Sequence, residues 1–387
     1  MTQSVVAHSE IADSAAAGSA LAAQIASDFQ GTEPDAVIVF ASPAHHYPKL
    51  LAGVGECGPR ILVGCSSAGE FAGDKPFHAS ACAVALRSTE LAFAAGVGRG
   101  LRGNTAGAAA EIVSAFRGTD GSDYPFRAAL VLTDALAGYV EELMGRLTLL
   151  TAGQYQFFGG GAGDDARFSS THVFYGGEAA TDAAVALEIL SHKPLGIGVR
   201  HGWRPATPPM RVTEAREMRV MSLNAVAAVE IFQEHAEQTG QSFNPADPLP
   251  FFLHNVVGID TGSGYKLRVP LAVNPDGSVS FAAEVPAGAT VRIMTADSVS
   301  TVEAAAQAAD AALKQLEGQP PQVALFFDCA ATRLRMGSEF GMELNQVSRM
   351  LSAAPFVGCN TYGQIARVDG QFSGFHNCTA VVCIIPG

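Results

Sequence analysis

The chain has 387 residues, of which 48% are apolar and 16% charged. At about 100–200 residues per domain, this length predicts about two domains, each long enough to bury a core. The formal net charge is −13 and the sequence contains no run of basic residues, which argues against nucleic acid as a partner.

The amino-terminal segment has neither the basic start of an export signal nor an apolar stretch long enough to cross a bilayer. The first Lys is Lys49, the first Arg is Arg60, and the Ala-rich stretch lies at residues 14–27. Seven cysteines form no C-x-x-C pair, which favours reduced thiols. We therefore expect a cytoplasmic protein with no membrane insertion.

An Ala-rich helix over residues 9–29 is the first predicted element, and residues 1–35 are expected to form an amino-terminal helical extension. Apolar runs and helical spacings then predict, in chain order, strands at 36–41, 61–64 and 79–86, a helix at 105–117, a strand at 128–132 and a helix at 137–150.

Consecutive strands follow from residue 156 onwards. Segments 172–175 and 183–187 flank Gly176 and Gly177, which supply the positive φ values of a hairpin turn. Strands at 196–200 and 210–213 precede a helix at 222–238. Because hairpins follow one another here, the pattern favours an α+β or mixed α/β fold over a doubly wound parallel sheet. We expect mixed, largely antiparallel sheets with flanking helices.

A Pro-rich segment at 243–250 marks the predicted boundary between two related domains, which we place at residues 36–240 and 241–387. Residues 300–303 predict a capping box for a helix that Gly318 ends. The strands predicted between the boundary and this helix lie near 252–257, 266–272, 279–283 and 290–294.

One internal repeat organises the chain. Residues 63–71, Val-Gly-Cys-Ser-Ser-Ala-Gly-Glu-Phe, recur at 357–365 as Val-Gly-Cys-Asn-Thr-Tyr-Gly-Gln-Ile. Each copy follows an apolar strand, at 36–41 and 323–328, and precedes another, at 79–86 and 378–385. The spacing is too large for a solenoid, which indicates two related domain cores.

Each copy predicts a buried strand that is followed by a glycine turn. The first Gly allows close backbone approach, and the second exposes backbone N–H groups in a concave turn. A tight turn whose polar side chains bond their own backbone is the alternative interpretation. The candidate ligand-binding residues in the two copies are Cys65, Ser66, Ser67, Gly69, Glu70, Cys359, Asn360, Thr361, Tyr362, Gly363 and Gln364.

These motifs resemble a known family. Residues 63–71, 159–165, 171–175 and 201–205 resemble the FIST N-terminal domain. The FIST C-terminal domain is resembled by residues 267–270, 326–330 with Arg333, 356–364 and 376–379, so the resemblance runs from about residue 36 to the end. It implies a sensory protein that binds a small ligand, usually proposed to be an amino acid, and that signals to a histidine kinase or a cyclic-dinucleotide enzyme.

Two departures from the family pattern make the second turn less acidic. Gln364 stands where the family commonly has Glu, and Cys359-Asn360 replaces a Phe-Tyr-type pair. Arg268 and Arg333 are candidate carboxylate clamps, although surface ion pairing is the alternative. Trp203 could line a ligand pocket or close the sheet.

Some family members of similar length are described as haem proteins that sense nitric oxide and regulate a histidine kinase. The resemblance therefore makes haem b a candidate cofactor, and a haem-based nitric-oxide sensor the alternative function. An axial ligand needs one neutral imidazole that faces an apolar pocket. The histidines considered for this role are His45, His46, His201 and His254.

No complete catalytic signature occurs. The sequence has no Walker loop, no G-x-S-x-G elbow and no H-E-x-x-H motif, so we expect a protein that is not an enzyme. A thiol-dependent enzyme is the second alternative, in which Cys65 or Cys359 would meet His201 or His376.

Overall fold

The computed structural model describes residues 1–119, 121, 123–352, 354–368 and 371–387, with the side chains of residues 368 and 371–373 outside the description. Three six-stranded sheets and one nine-stranded sheet are flanked by helices. The predicted α+β class with mixed sheets is confirmed. Within the described part of the chain, no helix is long and apolar enough to cross a membrane.

The first unit extends over residues 2–88. Its elements are β1 (Thr2–Ser9), α1 (Ser14–Asp28), β2 (Ala36–Ala41), α2 (Tyr47–Val54), β3 (Ile61–Ser66), β4 (Glu70–Ala72), β5 (Lys75–Pro76) and β6 (Ala81–Ser88).

A second unit with the same order of elements follows at residues 91–191. It contains β7 (Leu91–Arg99), α3 (Leu101–Ser114), β8 (Phe126–Thr133), α4 (Val140–Leu150), β9 (Gln156–Gly161), β10 (Val173–Tyr175), β11 (Glu178–Ala180) and β12 (Ala183–Ser191).

The third unit begins with β13 (Gly196–Arg200) and is interrupted by a long insertion. The insertion contains β14 (Arg204–Pro205), β15 (Met210–Arg216), β16 (Arg219–Leu223), β17 (Val226–Ala227), α5 (Ala228–Thr239), α6 (Leu249–Phe252), β18 (Val256–Asp260), β19 (Tyr265–Arg268), β20 (Pro270–Val273), β21 (Val279–Phe281) and β22 (Thr290–Thr295). The unit then resumes with α7 (Ser298–Gln315), β23 (Pro321–Cys329), α8 (Ala330–Met336), α9 (Phe340–Leu351), β24 (Phe356–Thr361), β25 (Gln364–Val368), β26 (Gln371–His376) and β27 (Ala380–Pro386).

The three units share one sheet topology. In each unit the two middle strands pair in parallel, namely β2 with β3, β8 with β9, and β23 with β24. The last strand pairs antiparallel with the first strand and with one of the parallel pair. The sequence repeat therefore has a third member, in residues 158–165, which the sequence comparison missed.

Each unit gives its short hairpin to a neighbouring sheet. Hairpin β4–β5 of the first unit pairs with β24 of the third, and β25–β26 of the third unit pairs with β9 of the second. Hairpin β10–β11 of the second unit pairs with β3 of the first and closes the cycle. The three sheets are thus joined in a ring by exchanged strands.

The inner faces of the three sheets share one hydrophobic core. Phe40, Phe158 and Phe327, one from each unit, are all buried there. The rings of Phe40 and Phe327 meet edge to face with centroids 5.6 Å apart, and Phe158 lies 6.3 Å from Phe327. Alternating strand residues point outward, where they pack under the helices.

Small residues let the helices approach the outer face closely. In the second and third units, Gly96, Gly98, Gly196 and Gly198 lie against the backbones of α3 and α7. A Cβ at any of these positions would overlap a helix carbonyl. The Ala-rich face of α7 matches this spacing and is fully buried.

Several local predictions were wrong because pairing partners are not local. The first strand, Thr2–Ser9, was missed, and it pairs with β6 rather than forming part of a helical extension. The hairpin at Gly176 and Gly177 joins β10 to β11, whereas residues 183–191 belong to another sheet.

The ends of several helices and strands also differ from the predicted ones. The capping box of α7 starts at Asp297, whose carboxylate accepts from the Ser300 N–H, and not at residue 300. Helix α5 begins at Ala228 because residues 219–223 and 226–227 form paired strands. The strand predicted near 252–257 begins at Val256, since α6 ends at Phe252. The predicted division at residue 240 stays a prediction.

Candidate ligand-binding site at the junction of three turns

The turns that follow β3, β9 and β24 meet at one end of the central core. We name them turn 1 (66–70), turn 2 (161–165) and turn 3 (360–364). Each turn donates one backbone N–H to a carbonyl of the next, and all three bonds measure 2.9 Å. They run from Ala68 to Asn360, from Gly163 to Ser66 and from Tyr362 to Gly161. The ring of bonds fixes the three turns against one another.

The first glycine of each repeat is required by strand packing. Gly64, Gly159 and Gly358 occupy equivalent positions in β3, β9 and β24. A Cβ at any of them would overlap the carbonyl oxygen of the neighbouring parallel strand. The predicted close backbone approach thus occurs three times.

Turn 1 carries a buried acid. One carboxylate oxygen of Glu70 accepts from the Ser67 hydroxyl, and the other accepts from the Ser80 hydroxyl at 2.6 Å. Burial raises the pKa of Glu70 to about 7, although the two hydroxyls lower it; Asp165 adds to the rise and Arg333 opposes it. Glu70 therefore changes its charge near neutral pH.

Arg333 bridges turns 1 and 3. Its guanidinium donates to the Asn360 side-chain oxygen at 3.1 Å and to the Phe77 carbonyl at 2.9 Å, and it contacts the His78 ring. Gly69 has φ +131°, and any side chain there would overlap the guanidinium. Turn 1 therefore needs a glycine at this position both for its backbone and for Arg333.

Turn 2 adds a second acid at the surface of the junction. The exposed Asp165 accepts from the Ser42 hydroxyl at 3.0 Å, and its N–H donates to the Ser67 carbonyl at 3.3 Å. Burial lowers the pKa of Arg333, whereas Glu70 and Asp165 raise it. One guanidinium and two carboxyl groups therefore share this end of the molecule.

Turn 3 has the same backbone but a neutral side chain at the position equivalent to Glu70. The Gln364 amide nitrogen donates to the Thr361 hydroxyl at 2.9 Å, and its oxygen accepts from the Thr379 N–H at 3.2 Å. Tyr362 donates its hydroxyl to Asp164 of turn 2. Both polar groups of the Gln364 amide are therefore hydrogen-bonded.

Cys65 and Cys359 lie side by side in the central core. Both are fully buried free thiols, and they are hydrogen-bonded to each other. Burial raises the pKa of Cys359 well above that of a free thiol. His201 and His376 lie instead near Lys266 and Arg268, so the structure does not bring together the cysteines and histidines of the thiol-dependent hypothesis.

Trp203 and Arg268 lie away from the turns. Trp203 packs in a cluster between the insertion and the third unit, where the Arg335 guanidinium stacks 5.2 Å from its ring. Arg268 is 3% exposed and donates to the carbonyls of Glu284, Leu267 and Phe375. Its role as a carboxylate clamp stays a prediction.

Two cavities lie beside the insertion. One has a volume of about 400 Å³ and lies between the start of α4 and the insertion; its charged lining residues are Arg102, Glu141, Glu142, Glu217 and Glu284. The other, which we name the apolar groove, is lined by Phe168, Leu249, Leu253, Val269, Leu271, Ala282, Cys329, Ala330, Ala331, Leu334, Thr361, Tyr362 and Asn377.

The candidate haem ligands do not fit haem in either cavity, because no histidine lines them. His46 caps α2 by accepting from the Lys49 N–H, and His201 bonds to the Tyr265 carbonyl. His45 is buried, and its ring nitrogens have no hydrogen-bond partner among the described residues. His254 is exposed. Within the described chain, no cluster of three or more metal-binding side chains occurs.

Comparison with known proteins assigns the family. The FIST N domain matches residues 35–226 and the FIST C domain matches residues 211–367, so the chain belongs to the FIST family, whose domains are sensory, ligand-binding signalling domains. No curated protein matches the chain. Among solved structures, a cyanuric acid hydrolase from A. caulinodans is similar, with 10% identity, a TM-score of 0.38, and coverage of 100% of this chain and 99% of that one.

Sequence reasoning identified Ser67 and Arg333 beside Glu70, but it missed turn 2 as a copy of the repeat and missed Ser80 and Asp165 as neighbours of Glu70. Turn 2 shares only Gly159 and the preceding strand with the other copies, because Gly160, Gly161 and Ala162 replace the cysteine and polar positions. The usable signal was the strand at 128–132 followed by a helix and a glycine-rich strand end, which is the pattern of the other two units.

Proposed function

We propose that this FIST protein is a non-enzymatic sensor that binds a small amino-acid-like ligand at the junction of the three turns. The observation that carries the proposal is the placement of Arg333 beside Glu70 and Asp165, with contributions from all three turns. An α-amino acid carries one carboxylate and one ammonium group, and this site offers a partner for each.

The recognition follows from ordinary charge pairing. The planar guanidinium of Arg333 can bond both oxygens of a carboxylate. Asp165 is exposed and can accept from an ammonium group, while Glu70 beneath it gains charge as the pH rises through about 7. Binding of the ammonium would lower the pKa of Glu70, so the ligand would release a proton near neutral pH.

The signal would pass to a separate protein, because the sequence contains no complete catalytic motif. A histidine kinase or a cyclic-dinucleotide enzyme is the partner that we propose. The ligand would tie together turns from three different sheets, and a partner that binds this end of the molecule would respond to that change.

A thermal-shift screen with α-amino acids tests the proposal. We expect at least one amino acid to raise the melting temperature, whereas its decarboxylated amine and its deaminated acid do not. At a concentration of 100 times the dissociation constant, a ligand stabilises the folded state by about 2.7 kcal/mol.

The matched variants are Arg333→Leu and Arg349→Leu. Arg333 lies at the junction, whereas Arg349 is an exposed arginine of α9. We expect the first substitution to abolish the ligand-induced shift and the second to leave it intact. A screen in which no amino acid stabilises the protein, or in which both variants respond like the wild type, would refute the proposal.

A further inference from the structure

A second feature of the threefold repeat concerns the equivalent residue at the end of the first parallel strand of each unit, which is the last residue of β23 and the residue directly after β2 and β8. In all three units its side chain accepts the backbone N–H two residues further on. The acceptors and donors are Ser42 and Ala44 at 3.2 Å, Asp134 and Leu136 at 3.1 Å, and Cys329 and Ala331. The same backbone niche thus holds a hydroxyl, a carboxylate or a sulfur.

The second unit shows that this niche accepts an anion. The Asp134 carboxylate also accepts the N–H of Asp182 at 2.6 Å. Asp182 and Cys378 are equivalent by strand register, since Val185 faces Leu132 as Val381 faces Phe327, and their φ values are 49° and 50°. The Cys378 N–H donates to the Cys329 sulfur in the same way.

Two further groups donate to the Cys329 sulfur, namely the Cys378 thiol and the Gln364 amide. The Cys378 thiol, together with the backbone N–H groups and Gln364, lowers the pKa of Cys329 to about 6 although burial opposes it. The pKa of Cys378 is raised by its bond to Cys329 and by burial. The Cys378 thiol is therefore the hydrogen-bond donor of this pair and the Cys329 sulfur is the acceptor, and the lowered pKa favours the thiolate form of Cys329.

The charged groups around this pair do not oppose the thiolate. Burial raises the pKa of both Asp328 and Glu343, and a negative charge on Cys329 raises them further, which favours the neutral form of each acid. Arg335 faces the same cluster and supplies a positive charge.

The apolar groove leads to the sulfur. Cys329 lines this groove and is 3% exposed, and none of the groove's lining residues carries a formal charge. A small uncharged molecule can enter such a groove at little desolvation cost. Cys329 is thus accessible to uncharged oxidants in a way that the central core is not.

We propose that Cys329 and Cys378 form a hydroperoxide-sensitive thiol pair. The Cys329 thiolate attacks one peroxide oxygen, the O–O bond breaks, and the leaving oxygen takes a proton to become water or an alcohol. The sulfur of Cys378 then attacks the sulfenic acid; the hydroxyl group leaves with the thiol proton as water, and the S–S bond forms. Two thiols are oxidised and one peroxide is reduced.

A second pair of cysteines in the same chain serves as a control for the proposed reaction. Cys65 and Cys359 are also in contact, but they lie in the central core, away from the groove, and the pKa of Cys359 is raised by burial. Proximity alone would make both pairs react. The proposal requires that only the 329–378 pair reacts.

Oxidation of the native protein by hydrogen peroxide tests the pair. After treatment, the protein is alkylated under denaturing conditions and its peptides are mapped by mass spectrometry. We expect a disulfide between residues 329 and 378, with Cys65 and Cys359 alkylated. In Cys378→Ser, the reaction should stop at a sulfenic acid on Cys329 that dimedone captures. A product with all seven cysteines alkylated, or with a disulfide between Cys65 and Cys359, overturns the proposal.

Gln364→Glu separates thiolate stabilisation from proximity. A carboxylate in place of the amide removes a donor and repels the thiolate, so we expect the oxidation rate of Cys329 at pH 7 to fall by about tenfold. The wild-type protein provides a second measurement that needs no variant. The alkylation rate of Cys329 by iodoacetamide should rise with a midpoint near pH 6; a midpoint near that of an ordinary thiol, about 8.5, would contradict the proposal.

Discussion

Turns 1 and 3 have the same backbone and different chemistry. Glu70 and Gln364 face equivalent strand positions, Cys359 and Gly160, in their respective sheets. The acid lies between two serine hydroxyls, whereas the amide bonds to Thr361, the Thr379 N–H and the Cys329 sulfur. The repeat therefore conserves the framework and leaves the function of each turn to a few side chains.

The largest expected effect concerns the shared framework. Gly358→Ala would place a Cβ against the Phe326 carbonyl, and Gly64→Ala would do the same at Val39. Because two paired strands must separate to make room, we expect each substitution to lower the free energy of unfolding by about 3 kcal/mol or more.

Urea denaturation measures this effect. Gly145→Ala in α4 is a suitable control, since nothing lies within 4 Å of an added Cβ there, and it should stabilise the protein by about 0.5–1 kcal/mol. Equal effects at positions 64, 358 and 145 would show that the strand glycines are not required by packing.

The next largest effect is a pH dependence of stability that turn 1 has and turn 3 lacks. The pKa of Glu70 is raised from 4.5 to about 7 in the folded protein. Its contribution to stability is therefore fully present below pH 4.5 and is lost as the pH rises through about 7, by roughly 3 kcal/mol at 1.36 kcal/mol per pKa unit.

Glu70→Gln copies the side chain of turn 3 into turn 1. We expect this variant to lose the pH-dependent decrease between about pH 4.5 and 7, and to be more stable than the wild type at pH 8. Denaturant unfolding at a series of pH values measures both. If the wild type and the variant have parallel stability profiles, the interpretation of Glu70 as a group that titrates near neutral pH is wrong.

The smallest expected effect on stability comes from removing a single hydroxyl donor near each turn. Ser80→Ala removes a donor to Glu70, whereas Thr379→Val removes a hydroxyl that donates to the Asn377 carbonyl. Each loss should cost about 1 kcal/mol. Only the Ser80 cost should increase as Glu70 ionises above pH 7, because a hydrogen bond to a charged acceptor is stronger. Identical pH profiles of the two variants would contradict this difference.

The sequence predicted the class of fold and two of the three turns for clear physical reasons. Apolar runs of strand length and the glycines at 64 and 358 are local signals. The pairing of β4 with β24 is not local, and nothing near residue 70 indicates that its partner lies at residue 359. For this reason the sequence could not show which turns meet, whereas the third copy of the pattern did have a local signal, in the strand at 128–132 and the glycine-rich strand end that follows.

The chemistry of the candidate site was predictable only in part. Glu70, Asn360 and Arg333 were identified from their motifs, and they do lie together. The motifs alone do not show which of the two arginines lies near the turns, because this depends on residues distant in the chain. Arg268 lies elsewhere, where it donates to the carbonyls of Glu284 and Phe375 and to the Glu141 carboxylate. The equivalence of Ser42, Asp134 and Cys329 appears only when the three sheets are compared, because the three residues have different chemistry.

The exchanged hairpins have a consequence for the synthesis of the protein. Strand β4 emerges early from the ribosome, but the strand that it pairs with, β24, lies nearly 290 residues later in the chain. Until β24 has been made, the β4–β5 hairpin lacks its partner strand, and the edge of β3 lacks its own partner until β10 has been made. The first unit therefore cannot complete its fold until β24 of the third unit has been made, and a contact at this sequence separation makes folding slow and exposes the nascent edges to aggregation or to chaperones.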